Sequence, residues 1–249
     1  MSQQPALGRR LLAELVGTAM LVTVVVGSGI AAERLSPNDV GLQLLGNSLT
    51  TVFGLSVLIL LFGPVSGAHF NPVVSAADWL LGRRPGTGLA ARDVAAYTTA
   101  QTVGAVLGAV LANVMFELAA IQVSDKARAS TGMWIGEIVA TAGLIALIFA
   151  LARTGRATLS AGAVGAYIGA AYWFTSSTSF ANPAVTVGRT FSDTFAGIAP
   201  ASVPPFVVAQ LIGAALGIGL VVAMYPDVSR AASAVVVPHE GRADRGPRI

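Results

Sequence analysis

The chain has 249 residues, of which 54% are hydrophobic and only 11% charged, with a formal net charge of +3. Soluble domains carry about a quarter charged residues, so a soluble helical protein with a large core would lack the charged surface it needs. The absence of cysteine excludes disulfides, thiolate metal sites and thiol nucleophiles.

In chain order, six apolar runs predict helices at about 11–31, 42–62, 93–116, 133–152, 160–177 and 205–225. They approach the roughly 20 apolar residues needed to cross a bilayer. Arg9 and Arg10 precede the first run as in a signal peptide, but its length and the five later runs read as a retained helix. That run, "AELVGTAMLVTVVV", carries Glu14. After the second run comes "SGAHFNPVVSAADW", with Asn71 and Pro72. The third contains "AQTVGAVLGAVLA" with Gln101, and the fourth "GEIVATAGLIALIF" with Glu137. The fifth is rich in Gly and Ala, as packed membrane helices are, and leads to "SFANPAVTVGRTF", with Asn182 and Pro183. Pro204 and Pro205 suit the first turn of the sixth helix, which contains "AQLIGAALGIGLV" with Gln210. Residues 1–8 read as a cytoplasmic segment, 9–225 as one domain, and the polar, Arg-rich tail at 226–249 as disordered.

Six spans put both ends on one side of the membrane. Eleven basic residues fall on that side, against Arg34, Lys126, Arg128 and Arg189 on the other. By the positive-inside bias both termini are cytoplasmic. The basic residues are scattered over loops and tail without interleaved aromatics, which argues against nucleic acid.

The motifs form an internal repeat, with units at about 9–116 and 132–225. Glu14 matches Glu137, Gln101 matches Gln210, and an Asn-Pro segment lies between them in each copy. Three spans per unit is odd, so the second copy is inverted, as in channels and transporters with a midplane solute path. Each Asn-Pro segment is too short to span. A re-entrant half-helix fits, because irregular backbone at membrane depth is tolerated when buried or lining a wet cavity. Pro72 and Pro183 then open half-helices whose N-termini meet near the middle with a positive potential. The Asn71 and Asn182 amides can donate to a passing oxygen, which admits neutral hydroxylated solutes and rejects cations.

From these residues the chain is identified as a member of the aquaporin (major intrinsic protein) family. "SGAHFNPVVS", "FANPAVTVGR", the paired Glu and the paired Gln-x-x-Gly motifs carry the resemblance over about 9–225. It implies an all-α bundle of six transmembrane helices plus two half-helices, right-handed, and a homotetramer with one pore per subunit. It needs no cofactor or metal. Asn71 and Asn182 would be the central donors, with Pro72, Val73, Pro183 and Ala184 completing the motifs and His69 lining the cytoplasmic half. Val73 replaces the usual Ala. An intramembrane carboxylate is expensive. It is either a relay or a structural acceptor for the re-entrant loops, and the family favours the acceptor for Glu14 and Glu137. Gln101 and Gln210 would brace the same loops.

Departures from the family pattern point to the solute. Relatives normally place Arg directly after the second Asn-Pro-Ala, as one wall of an outer filter; here the residue is Val185. The pattern assigns further walls to Ser179 and to Ala170, or Gly169 in a shifted register. The second helix supplies Phe53 if "FGLS" is matched, or Thr51 if the spacing to Asn71 is kept. The opening is expected to be wider and less charged than a strict water pore. Arg189, seven residues after Asn182, is read either as a vestibule cation or, preferably, as a salt bridge to Asp193 or a headgroup anchor. "WFTSSTSFANPAVTVGRTFSDTFAGI" is similar to bacterial, particularly actinobacterial, aquaglyceroporins found with arsenic-resistance genes. The resemblance implies a passive channel in a bacterial-type plasma membrane for glycerol-type polyols, neutral arsenite and other metalloid hydroxides, and water. A water-selective pore with a rebuilt filter and an ion-coupled transporter are the alternatives. An enzyme lacks support, since there are only two His and no nucleophile–base pair.

Overall fold

The computed structural model describes residues 5–83 and 87–225; the tail expected to be disordered lies outside the described residues. Its helices are α1 (Leu7–Leu35), α2 (Val40–Ser66), α3 (Pro72–Gly82), α4 (Ala91–Met115), α5 (Thr131–Arg153), α6 (Ser160–Phe174), α7 (Pro183–Gly188) and α8 (Val203–Met224), with no strand among the described residues. Among the described residues five helical segments are long and apolar enough to cross a membrane, four of them α1, α2, α4 and α5, and the last running Pro200–Met224 into α8. The fifth expected span is shorter than read. It was placed at 160–177, but α6 stops at Phe174, because Thr175 turns extended (φ −110°, ψ 141°). Its 15 residues cover about 22 Å at 1.5 Å per residue, and a 3₁₀ turn over Ala157–Leu159 precedes it.

Local chemistry sets the helix ends. Asp39 caps α2 by accepting from Leu42 N–H, and Ser130 caps α5 by accepting from Met133 N–H. Gly67 ends α2 at φ +89°, a conformation that costs glycine little. Asn71 and Asn182 cap the two half-helices, and Pro72 and Pro183 occupy their first turn, where the missing N–H is not needed.

The two Glu/Gln units pack in the same register. A Cβ on Gly104 or Gly108 of α4 would fall 2.3 Å from Leu15 O or 2.1 Å from Ala19 O of α1. On Gly213 or Gly217 of α8 it would fall 2.5 Å from Ile138 O or 2.6 Å from Ala142 O of α5. Each glycine in one half has its counterpart in the other, against the counterpart carbonyl. Glycine is required there because backbone meets backbone, the close approach that membrane helix pairs use in place of a hydrophobic drive. The outward surface is apolar: Leu49, Phe53, Val57, Leu60, Leu211 and Leu216 are all exposed. Such a belt suits hydrocarbon and not water.

Candidate functional site

The re-entrant loops are built around two buried carboxylates. Glu14 accepts from His69 N–H (3.0 Å), Phe70 N–H (2.7 Å), Ser66 Oγ (2.6 Å) and Gln101 Nε2 (2.7 Å). Glu137 accepts from Phe180 N–H (2.8 Å), Ala181 N–H (2.8 Å) and Gln210 Nε2 (2.6 Å). Each glutamine amide also donates into its half-helix, Gln101 to Ser75 Oγ and Gln210 to Thr186 Oγ1. The acids have their valences used by the loops, which is the geometry of the acceptor reading. The loops need such anchors. Ala68 and Phe70 in one, and Ser179 and Ala181 in the other, hold φ between +48° and +50°. Non-glycine residues there carry strain and persist only where surroundings over-determine them.

The loops also hold each other. Asn71 Nδ2 donates to Ala181 O (2.8 Å), and Asn182 Nδ2 donates to Phe70 O (2.7 Å). The side-chain oxygens cap: Asn71 Oδ1 accepts from Val73 N–H, and Asn182 Oδ1 from Ala184 and Val185 N–H. An amide carries two N–H donors. One from each Asn is spent on the cross-brace, and both residues line the same cavity.

That cavity is walled in pairs. Leu21 and Val25 of α1 face it, as do their repeat equivalents Leu144 and Ile148 of α5. His69 lines it too, with its Nδ1 3.0 Å from Ser75 Oγ. Val73 and Ala184 are buried in the packed core, and the neighbouring Val74 reaches the cavity in place of Val73.

The residues expected to form the filter are placed differently in several cases. Phe53 is 66% exposed on the outside, whereas Thr51 lines the cavity with Leu55 and Ile59. Positions 51, 55 and 59 share one helix face, and two residues' offset turns Phe53 about 200° away. Ala170 is exposed. Gly169 packs on α2, since a Cβ there would meet the Val52 side chain. The α6 wall is Val164, Ile168 and Tyr172. Tyr172 was missed from sequence; its hydroxyl lies 3.2 Å from Thr51 Oγ1. Ser179 and Val185 do line the cavity.

Arg189 overturns its preferred reading. It is 2% exposed, lies on the cavity wall and makes no ion pair among the described residues. Asp193 instead accepts from Ser124 Oγ and Asp125 N–H. The Arg189 guanidinium carbon sits 3.5 Å from the Phe180 ring centre, a cation–π contact, and its Nε donates to Ala196 O. The cavity wall that carries Val185 is therefore not stripped of positive charge.

A family model described as Major intrinsic protein matches residues 1–180 and 158–245. The chain is 48% identical over 218 residues to the Aquaglyceroporin AqpS of Rhizobium meliloti (strain 1021), covering 88% of this chain and 91% of that protein. It is 31% identical over 255 residues to the Glycerol uptake facilitator protein of Pseudomonas aeruginosa, covering 86% and 88%. Among solved structures, the X-ray structure of the aquaglyceroporin from Plasmodium falciparum superposes with a TM-score of 0.62 at 21% identity, over 91% of this chain and all of that one.

Proposed function

The chain belongs to the major intrinsic protein family, and from that premise we propose that it is a passive transmembrane channel for glycerol and other small neutral solutes. The observation that carries this reading is the cross-braced pair Asn71 and Asn182 on the cavity wall, each with one N–H left to donate. A solute hydroxyl can exchange its water partners for these donors while its carbon side slides along Leu21, Val25, Leu144 and Ile148. The half-helix N-termini add positive potential at the same point, which disfavours cations.

In this proposal Glu14, Glu137, Gln101 and Gln210 are structural and relay no protons, and no chemical step occurs. Neutral arsenite belongs to the same proposed solute class, supported by the similarity to an aquaglyceroporin and by the sequence resemblance above. A bacterial plasma membrane, cytoplasmic termini and a homotetramer complete the proposal, supported by the basic-residue bias and by the family.

The test is light scattering on proteoliposomes of the purified protein, challenged in turn with an impermeant osmolyte, glycerol and arsenous acid. Shrinkage followed by rapid reswelling with glycerol or arsenous acid is the expected result. Fast water loss with no solute entry would leave a water pore in its place, and flux that required a proton or sodium gradient would replace the channel with a coupled transporter.

A further inference from the structure

Each half of the molecule braces its re-entrant loop at one more point, and the two halves do it with different chemistry. Ser66 and Ser177 are repeat equivalents, three residues before His69 and Phe180, and the Oγ of each accepts from the N–H two residues on. In the first half Ser66 O accepts from the Tyr97 hydroxyl of α4 (3.0 Å). The Arg10 guanidinium of α1 lies 5.9 Å from the centre of the Tyr97 ring and pairs with Asp93 (3.0 Å).

The second half lacks all three of these side chains. In the registers set by the paired Gln and the paired Glu, Tyr97, Asp93 and Arg10 correspond to Phe206, Ser202 and Met133. Phe206 keeps the ring contact, 5.2 Å from Phe180 where Tyr97 is 5.5 Å from His69, but phenylalanine has no hydroxyl to donate. The linker between α4 and α5 fills the gap. Arg128 is 6% exposed; its N–H donates to Ser202 Oγ (2.9 Å) and its Nη1 to Ser177 O (3.4 Å). Its guanidinium carbon lies 5.0 Å from the Phe180 ring centre. Nε and Nη2 donate to Gly197 O (2.9 Å) and Phe195 O (3.4 Å), on the chain that returns after α7. Burying a guanidinium is costly unless its donors are met, and here backbone carbonyls meet them.

We propose that Arg128 is a positioning residue of the channel: the linker supplies to the second half the loop donor that the repeat lost. The inference rests on the channel reading above. Arg128 is not on the cavity wall, whereas Phe180 and Asn182 of the loop it holds are. It therefore acts through the Ser177 carbonyl and the Phe180 ring and touches no solute. The connection between the halves is then a working part of the second half and not only a tether.

The test measures glycerol entry into proteoliposomes for Arg128→Ala, Tyr97→Phe, the double variant Arg128→Ala/Phe206→Tyr and the exposed linker control Lys126→Ala, each taken from the monodisperse fraction. Loss of the charge-assisted tie lowers entry about tenfold in Arg128→Ala. Loss of one neutral bond lowers it about threefold in Tyr97→Phe. Lys126→Ala keeps the wild-type rate. In the double variant a tyrosine hydroxyl at position 206 stands where Tyr97 stands in the first half, beside the space that the arginine leaves, and entry recovers at least threefold over Arg128→Ala. That recovery separates a tie on the loop from a clamp on the returning chain, because Phe206→Tyr restores no donor to Gly197 or Phe195. Wild-type entry in Arg128→Ala or in Tyr97→Phe overturns the proposal, as does a monodisperse double variant no faster than Arg128→Ala. If the double variant aggregates, the two single variants decide. A wild-type protein that admits no glycerol sinks the channel reading, a separate outcome from failure of Arg128 alone.

Discussion

Removing the Glu14 carboxylate should collapse the first re-entrant loop. In Glu14→Ala the N–H groups of His69 and Phe70 lose their acceptor. Ser66 keeps a role as acceptor from Ala68 N–H and Gln101 still reaches Ser75, so the two backbone donors dominate. A buried donor left unsatisfied costs about 1–3 kcal/mol, or about 2–6 kcal/mol for the pair. The same bonds hold Ala68 and Phe70 at positive φ, and release of strain of roughly 1–3 kcal/mol per residue favours letting go. At roughly 2–4 °C per kcal/mol for a domain of this size, the melting temperature in detergent should fall on the order of 10 °C, with solute flux lost. Glu14→Gln keeps one acceptor oxygen and presents N–H groups to the other donors, so its effect should be intermediate. Melting by tryptophan fluorescence and light-scattering flux on the same preparations check both. If both variants kept wild-type melting and flux, the carboxylate would not be what holds the loop.

Val185→Arg should narrow the outer end, lowering glycerol entry about tenfold or more while water still passes; unchanged glycerol entry would mean that position 185 does not bound the path. Gly108→Leu puts a side chain onto Ala19 O, and such overpacking costs about 1–3 kcal/mol or more, so the variant should elute as aggregate in size-exclusion chromatography. A monodisperse, active protein would contradict the packing described for α1 and α4. With no cysteine in the chain, mercurials should leave flux unchanged, and inhibition reversed by a thiol reductant would refute this.

The parts of the site that follow from the repeat were legible in the sequence. Glu14 with Glu137 and Gln101 with Gln210 could be paired by eye, and the structure gives each pair equivalent loop N–H and amide partners, with Ser66 Oγ an extra donor to Glu14 alone. Helical phase was not legible. Spacing from Asn182 pointed to Ala170, but Gly165 and Gly169 turn toward Ser56 and Val52 of α2, which rotates Ile168 and Tyr172 onto the cavity. Motif matching chose Phe53, whereas the cavity face of α2 repeats at 51, 55 and 59. The spacing to Asn71 had offered Thr51, which is the residue on that face. Arg189 was placed on the correct face by its seven-residue offset from Asn182. Its burial was missed because a ring and a backbone carbonyl hold it, and neither leaves the opposite charge that a sequence reader looks for.

The bonds Asn71 to Ala181 and Asn182 to Phe70 are reciprocal: each half gives one amide and receives one. That reciprocity defines an isologous two-fold interface, here formed inside a single chain. Two separate copies of one half, lying antiparallel in a membrane, would close the same two bonds. The fused chain thus has the geometry of a duplicated gene's dimer whose copies became free to diverge while the brace stayed fixed. The divergence lies around the brace, in His69 against Phe180 and Asp78 against Arg189. It gives the two faces of a pseudo-symmetric molecule different chemistry, so a symmetric brace holds two chemically unlike ends.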